Sequence, residues 1–187
     1  MRWYWKLRSR LLFLWKSTNR HGVHSPFVYE FITKCLYQKL KKENLHAIKK
    51  HCKKNNCANL KKITLLYQIV HHFEVRNILD LNSSDHLLTL SLKEVTISKK
   101  NKNLKNSLFD LIIVDYQTFP EKLEELYHYM HNDTIILFDA PYTSPNTYNK
   151  WKQIVKKSTI TVSVDLFYLG LLFIRTEQVK EHFIIRA

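Results

Sequence analysis

Three acidic side chains stand at the ends of apolar segments in this sequence. Asp80, Asp115 and Asp139 close the segments ILD, IIVD and ILFD. Ligands of open α/β sheets bind beyond the carboxyl ends of the strands, so acids at matching strand ends predict a ligand site. Aspartates that only cap the next helix are the alternative interpretation, and the sequence favours neither.

A polar turn follows Asp80 and supplies further candidate ligand-binding groups. The stretch ILDLNSSDHLLTL, residues 78–90, indicates a strand, a turn and a helix, with Asn82, Ser83 and Ser84 in the turn. Such turns often hold cofactors and are usually rich in glycine. The whole chain has only two glycines, where about 7% is usual. The GxGxxG fingerprint and the phosphate-binding P-loop are therefore excluded.

The elements that must position these residues alternate between helix and strand, which is typical of an α/β fold. Near-continuous apolar strands predict a mostly parallel sheet covered on both faces, with N-terminal helices and a C-terminal antiparallel hairpin. We expect an N-terminal helical region, 1–62, and an α/β domain, 63–187, packed as one compact unit. Strands are predicted at 77–81, 94–98, 109–115 and 133–139 and on both sides of residues 168–170, and helices at 1–16, 25–40, 63–73, 87–92, 120–131 and 144–157, with partial helix in 41–62.

The composition is strongly basic, with a formal net charge of +14 and a pI near 9.7. Lysine pairs such as Lys41–Lys42 and Lys61–Lys62 are spread along the chain, so we interpret them mainly as solvated surface. This charge would also attract nucleic acid or an anionic membrane non-specifically. The three cysteines fit no standard zinc motif and suggest reduced thiols in a cytoplasmic protein; no metal is expected.

The N-terminal segment MRWYWKLRSRLLFLWKS predicts an amphipathic helix rather than a membrane span, because its apolar core is short. Its apolar residues share one helical face, with basic residues outside it. The helix either packs on its own domain, which we favour, or lies on a membrane surface. The apolar face consists of Tyr4, Leu7, Leu11, Leu14 and Trp15.

Several segments resemble class I S-adenosylmethionine-dependent methyltransferases, and more narrowly a bacterial subgroup with an HGVHSPF motif. That motif is present at 21–27, and FDLIIVD, NDTIILFD, VSVDLFYLGLLFIR and KEHFIIR follow at 109–115, 132–139, 162–175 and 180–186. The resemblance implies a Rossmann-like methyltransferase sheet and S-adenosylmethionine as the cofactor. It further implies that Asp80, Asn82, Ser83 and Ser84 line the cofactor and that Asp115 and Asp139 act near a small-molecule methyl acceptor.

The chain departs from the family pattern on the cofactor side. Asn82 and His86 stand where the family has glycines. Only 34 residues separate Asp80 from Asp115, which shortens the first half of the sheet. Ser98 lies about where the family has the acid that binds the cofactor's ribose, and Asp139 is followed by alanine and proline rather than by a second acid.

These departures predict a methyltransferase-like protein with weakened or lost catalysis. Such a protein could be retained as a binding subunit for a protein partner. One alternative is an active small-molecule O-methyltransferase. The other is a basic, non-enzymatic protein that binds nucleic acid or a membrane surface.

Overall fold

A single seven-stranded sheet organises the computed structural model, which describes residues 2–57, 59–82, 95–99, 107–114, 116–117, 119 and 123–187. The spatial order of the strands is β2-β1-β3-β4-β6-β5-β7. Their bounds are β1 Asn77–Asp80, β2 Thr96–Lys99, β3 Phe109–Val114, β4 Met130–Asp139, β5 Val162–Asp165, β6 Leu169–Phe173 and β7 Glu181–Ile184.

The sheet is mostly parallel. Strands β2, β1, β3 and β4 pair in parallel, and β6 runs antiparallel to both β4 and β5. Within the described residues the sheet ends at β2 on the far side of β1. The predicted fold class, a parallel sheet shortened in its first half with a C-terminal antiparallel hairpin, is thus confirmed.

Helices cover both faces of this sheet. Alternate residues of the central strand point to opposite sides: Leu111 and Ile113 lie in the core that contains the N-terminal helices. Ile112 and Val114 lie in the second core, with Trp151. The helices are α1 Arg2–Lys16, α2 Pro26–Phe31, α3 Lys42–Lys54, α4 Leu60–His72, α5 Leu123–Leu126 and α6 Pro145–Lys156.

The helix predicted at 120–131 is wrong in its second part. Residues 120–122 lie outside the described residues, and α5 is followed by a 3₁₀ turn, Tyr127–Tyr129. Strand β4 begins earlier than predicted, since Met130 pairs with Phe109. The Thr134 hydroxyl donates to the Phe109 carbonyl at 2.7 Å and accepts the His131 amide hydrogen at 2.8 Å. These bonds hold the start of β4 extended.

Other differences are smaller. The edge strand β7, which pairs in parallel with β5, was not predicted. The helix predicted at 87–92 lies outside the described residues. The antiparallel pair around residues 168–170 is confirmed as β5 and β6.

The HGVHSPF segment connects the N-terminal region to the sheet through the side chains of Ser25 and Phe27. Ser25 caps α2 by accepting the Val28 amide hydrogen at 3.5 Å, as expected for a serine before proline. The Phe27 ring packs edge-on against Phe173 of β6, with centroids 5.1 Å apart. The motif therefore has a structural role here.

Helix α1 packs on the protein body, but not by the predicted face. Ser9 and Phe13 are buried, and the Trp5 indole donates to the Tyr142 carbonyl at 3.1 Å. These three residues recur every fourth position and so share one side of the helix. Most of the face predicted from the sequence, including Leu11 and Trp15, is exposed.

Candidate functional site

The ends of β1, β3, β4 and β5 meet at one edge of the sheet, which we call the carboxyl edge. Asp80 is the last residue of β1 and is buried, and Asp139 is the last residue of β4. The Asn82 backbone amide donates to Asp80 Oδ1 at 3.0 Å, and its side-chain Nδ2 donates to Asp139 Oδ2 at 3.2 Å. The structure thus brings Asp80, Asn82 and Asp139 together.

Lys62 joins this cluster from helix α4. Its Nζ lies 2.5 Å from Asp139 Oδ1, and the two side chains are only 19% and 16% exposed. The Asn59 side chain accepts the Lys62 amide hydrogen at 3.1 Å, which caps α4 and places Lys62 in its first turn. A cation is unfavourable at a helix N-terminus, so the Asp139 carboxylate offsets a local cost. The interpretation of Lys62 as solvated surface is wrong.

The other predicted site residues cannot be placed. Ser83, Ser84 and Asp115 lie outside the described residues. Their assignment to the cofactor and the acceptor stays a prediction.

Sequence reasoning missed a fourth acid at the carboxyl edge. Asp165 ends β5, is buried, and accepts hydrogen bonds from the Tyr142 hydroxyl at 2.7 Å and the Phe167 amide at 2.9 Å. Burial raises the pKa of the Asp165 carboxyl to about 6, and these hydrogen bonds oppose that rise. Burial and the neighbouring carboxyl raise the pKa of Tyr142, which therefore stays the donor. The segment VSVD ends an apolar run in an acid, so the signal was present.

A pocket of about 740 Å³ opens beside this edge. Its walls come from α1, from the start of α4 and from the loops after β4 and β5. Lys6 and Arg10 line it together with aromatic rings and with Lys62, whose charge is paired with Asp139. No acidic side chain is among the lining residues that the structure describes. The lining therefore favours a ligand that combines an apolar or aromatic body with negative charge.

The aromatic wall of the pocket is held in a strained arrangement. Phe167 has a left-handed backbone with φ of 68°, which is uncommon for a bulky residue. The Phe167 ring stacks on the Tyr142 ring, with centroids 4.7 Å apart. The Arg10 guanidinium lies over the Phe167 ring, 4.6 Å from its centroid. The hydrogen bond that the Phe167 backbone amide donates to Asp165 also supports this arrangement. Such strain persists only where the surroundings fix it, often at ligand sites.

Solved methyltransferase structures align with this chain over much of its length at low sequence identity. One is a methyltransferase from Geobacter sulfurreducens, at 10% identity and a TM-score of 0.47, covering 74% of this chain and 92% of that one. Another is the SAH-bound Podospora anserina methyltransferase PaMTH1, at 8% identity and a TM-score of 0.47, covering 82% and 97%. A third is the O-methyltransferase TomG from Streptomyces achromogenes, involved in tomaymycin synthesis and solved with SAM, at 9% identity and a TM-score of 0.47, covering 79% and 95%.

No protein-family model matches the chain, and no curated protein matches it either. Among the described residues, no group of three or more histidine, cysteine, aspartate or glutamate side chains could hold a metal ion. In the same part of the chain, no helix combines the length and the hydropathy that crossing a bilayer requires.

Proposed function

We propose that this protein is a methyltransferase-like protein that binds S-adenosylmethionine beside Asp80 and Asn82 and has weakened or lost catalysis. The observation that carries this proposal is the Asp80–Asn82–Asp139–Lys62 cluster at the carboxyl edge, in which both Asp139 oxygens are engaged. The cofactor itself comes from the sequence resemblance, and ligands of such sheets bind at this edge.

The cofactor side has polar groups but little backbone freedom. Asn82 stands where the sequence resemblance implies a glycine. Its side-chain amide donates a hydrogen bond to Asp139. A side chain at this position narrows the close approach that a glycine would allow. We therefore expect weaker binding than a glycine-rich turn would give.

The acceptor side lacks a free base at Asp139. S-adenosylmethionine supplies a methyl group on a sulfonium, and an acceptor hydroxyl must lose its proton when it is methylated. A general base must lie within hydrogen-bond reach of that proton. Asp139 Oδ1 faces the Lys62 ammonium and Oδ2 accepts from Asn82, so an acceptor hydroxyl would have to share either oxygen with a contact that is already made.

The pocket beside Lys62 indicates the class of acceptor or ligand. Its cations and its Tyr142 and Phe167 rings suit a small aromatic or amphipathic anion. We infer that such a molecule, rather than a nucleic acid, is the partner of this pocket, because about 740 Å³ accommodates one small ligand.

Calorimetric titration with S-adenosylmethionine and S-adenosylhomocysteine tests the cofactor assignment. We expect saturable binding with a Kd in the micromolar range, equivalent to about −8 kcal/mol. Replacing Asn82 with alanine removes its hydrogen bond to Asp139 and the polar group proposed to bind the cofactor, so it should weaken the affinity about tenfold. Asn149→Ala, an exposed asparagine on α6, is the matched control and should leave the affinity unchanged.

Three results would contradict the proposal. Absence of heat up to millimolar ligand, with the protein folded, would exclude the cofactor. Equal affinity in the Asn82→Ala variant would place the cofactor elsewhere. Turnover of a small anionic acceptor at roughly 1–1,000 per second, the ordinary range for enzymes, would show that catalysis is intact.

A further inference from the structure

Helix α1 carries an apolar face that is largely exposed among the described residues. Trp3 is 76% exposed and Trp15 is 80% exposed, and the side chains between them on that face are also largely exposed. Elsewhere in the described chain, exposed large apolar residues are scattered singly, whereas a contiguous patch marks an interaction surface. The apolar face comprises Trp3, Tyr4, Leu7, Leu11, Leu12 and Trp15.

The opposite side of α1 is fixed to the protein, so the helix cannot simply turn to bury this face. Phe13 is 3% exposed and packs edge-on against Phe167, with centroids 5.2 Å apart. The Trp5 indole donates to the Tyr142 carbonyl, and Ser9 is buried between these two contacts. The helix thus presents its apolar face outward while its other face is part of the fold.

The charged residues of α1 are all basic. Helix α1 contains no acidic residue, and Lys6, Arg8 and Lys16 are exposed. The whole chain has a net charge of +14. Tryptophan, tyrosine and leucine on one face with lysine and arginine beside it is the pattern of helices that lie in the headgroup region of membranes.

We propose that α1 docks this protein on an anionic lipid surface, with Trp3, Leu11 and Trp15 inserted at the boundary of headgroups and acyl chains. The tryptophan rings have an apolar body and a polar N–H, which suits that boundary. The basic side chains would contact the lipid phosphates, each adding electrostatic attraction that salt screens. Lipid docking by α1 does not require S-adenosylmethionine at Asp80 and Asn82, although Trp3 and Leu7 also line the pocket beside Lys62.

Other occupants fit this face less well. A second copy of the chain would bring the same positive charge against it, and like charges repel. A nucleic acid would satisfy the charges and could stack bases on Trp3, Tyr4 and Trp15. Leu7, Leu11 and Leu12 of the same face offer its bases neither a hydrogen bond nor an aromatic ring. An anionic bilayer complements both the charge and the aliphatic side chains.

Co-sedimentation of the full chain with vesicles tests this proposal. The vesicles are pure phosphatidylcholine, or phosphatidylcholine mixed with anionic phosphatidylglycerol, which gives the surface a negative potential. We expect binding to the anionic vesicles only, weakened when salt is raised. Tryptophan fluorescence should shift to shorter wavelength on binding, because Trp3 and Trp15 leave water.

Matched variants separate the apolar face from general charge. Leu11→Ser/Trp15→Ser should weaken partitioning about tenfold or more, since two large apolar groups no longer insert. Val179→Ser removes an apolar side chain that is 73% exposed but lies away from α1, and it should bind as wild type. Arg8→Glu should weaken binding more than Lys49→Glu, an exposed lysine on α3.

Several outcomes would overturn lipid docking. These are absence of binding to anionic vesicles, equal binding by Leu11→Ser/Trp15→Ser, or equal effects of Arg8→Glu and Lys49→Glu. If the protein does not bind vesicles but is a dimer, and Leu11→Ser/Trp15→Ser makes it a monomer, the face belongs to a second copy of the chain. If a nucleic-acid duplex displaces the protein from vesicles, and Leu11→Ser/Trp15→Ser binds that duplex as tightly as wild type, the basic residues bind nucleic acid instead of lipid.

Discussion

Replacing Lys62 with methionine should destabilise the protein by leaving Asp139 at the carboxyl edge without its cation. Lys62 Nζ and Asp139 Oδ1 lie 2.5 Å apart, with side chains that are 19% and 16% exposed. Methionine keeps the aliphatic length of the lysine and removes the charge. The expected loss therefore reports the ion pair rather than the packing.

The magnitude follows from the burial of the pair. Two unit charges 2.5 Å apart attract by about 7 kcal/mol at an effective dielectric constant of 20. Desolvation of both ions cancels much of this, whereas removing one partner of a fully buried pair costs about 3–5 kcal/mol. Because both side chains retain some solvent contact and Asn82 still donates to Asp139, we expect a loss of about 2–3 kcal/mol for Lys62→Met.

Urea denaturation of a double-mutant cycle measures this coupling. Lys62→Met/Asp139→Asn removes both charges and should recover part of the loss, with a coupling energy of about 1–2 kcal/mol. Lys62→Met alone should lower Tm by roughly 4–12 °C for a chain of this size. Lys49→Met on the exposed side of α3 is the control and should change stability by less than about 0.5 kcal/mol. Strictly additive effects of the two site substitutions would refute the ion-pair argument.

Two further substitutions test the packing and the titration beside the site. Gly170→Ala should lower the free energy of unfolding by about 1–3 kcal/mol in denaturant, since its Cβ would lie 2.5 Å from the Trp151 ring. Gly170→Ala/Trp151→Phe should recover part of this loss. Additive effects of the two substitutions would contradict the clash. The pKa of Asp165 is raised from its usual 3.8 to about 6. Through this carboxyl the folded protein is about 3 kcal/mol more stable below pH 4 than above pH 7. That stability is lost as pH rises through 6, so wild type should lose it relative to Asp165→Asn between pH 4 and 7. A stability difference that stays constant with pH would refute the raised pKa.

The strand pattern and the acids at strand ends could be predicted because both are local signals. Buried parallel strands need continuous apolar runs, and Asp80 and Asp139 close such runs in the structure as in the sequence. Asp165 has the same signal and was missed, because VSVD was interpreted only as half of a hairpin. The partner of Lys62 could not be predicted, since no local pattern identifies the carboxylate that a distant lysine meets.

Helix α1 shows a different limit of sequence patterns. Periodicity finds an apolar face, but it does not say what covers it. The face with more apolar residues faces outward. Phe13 packs against the rings of Tyr142 and Phe167, which follow β4 and β5, and the Trp5 indole donates to the Tyr142 carbonyl. These contacts, and not the apolar periodicity, identify the side of α1 that faces the protein.

The scarcity of glycine also bears on where the structure stores strain. Ala140 and Phe167 adopt left-handed backbone conformations, with φ of 46° and 68°, which glycine would adopt without strain. Each costs about 1–3 kcal/mol and persists only where its surroundings hold it. Ala140 directly follows Asp139, and Phe167 lies two residues after Asp165 and donates its amide hydrogen to it. Ala140 and Phe167 both line the pocket. Replacing either residue by glycine would relieve this strain and loosen the wall of the pocket.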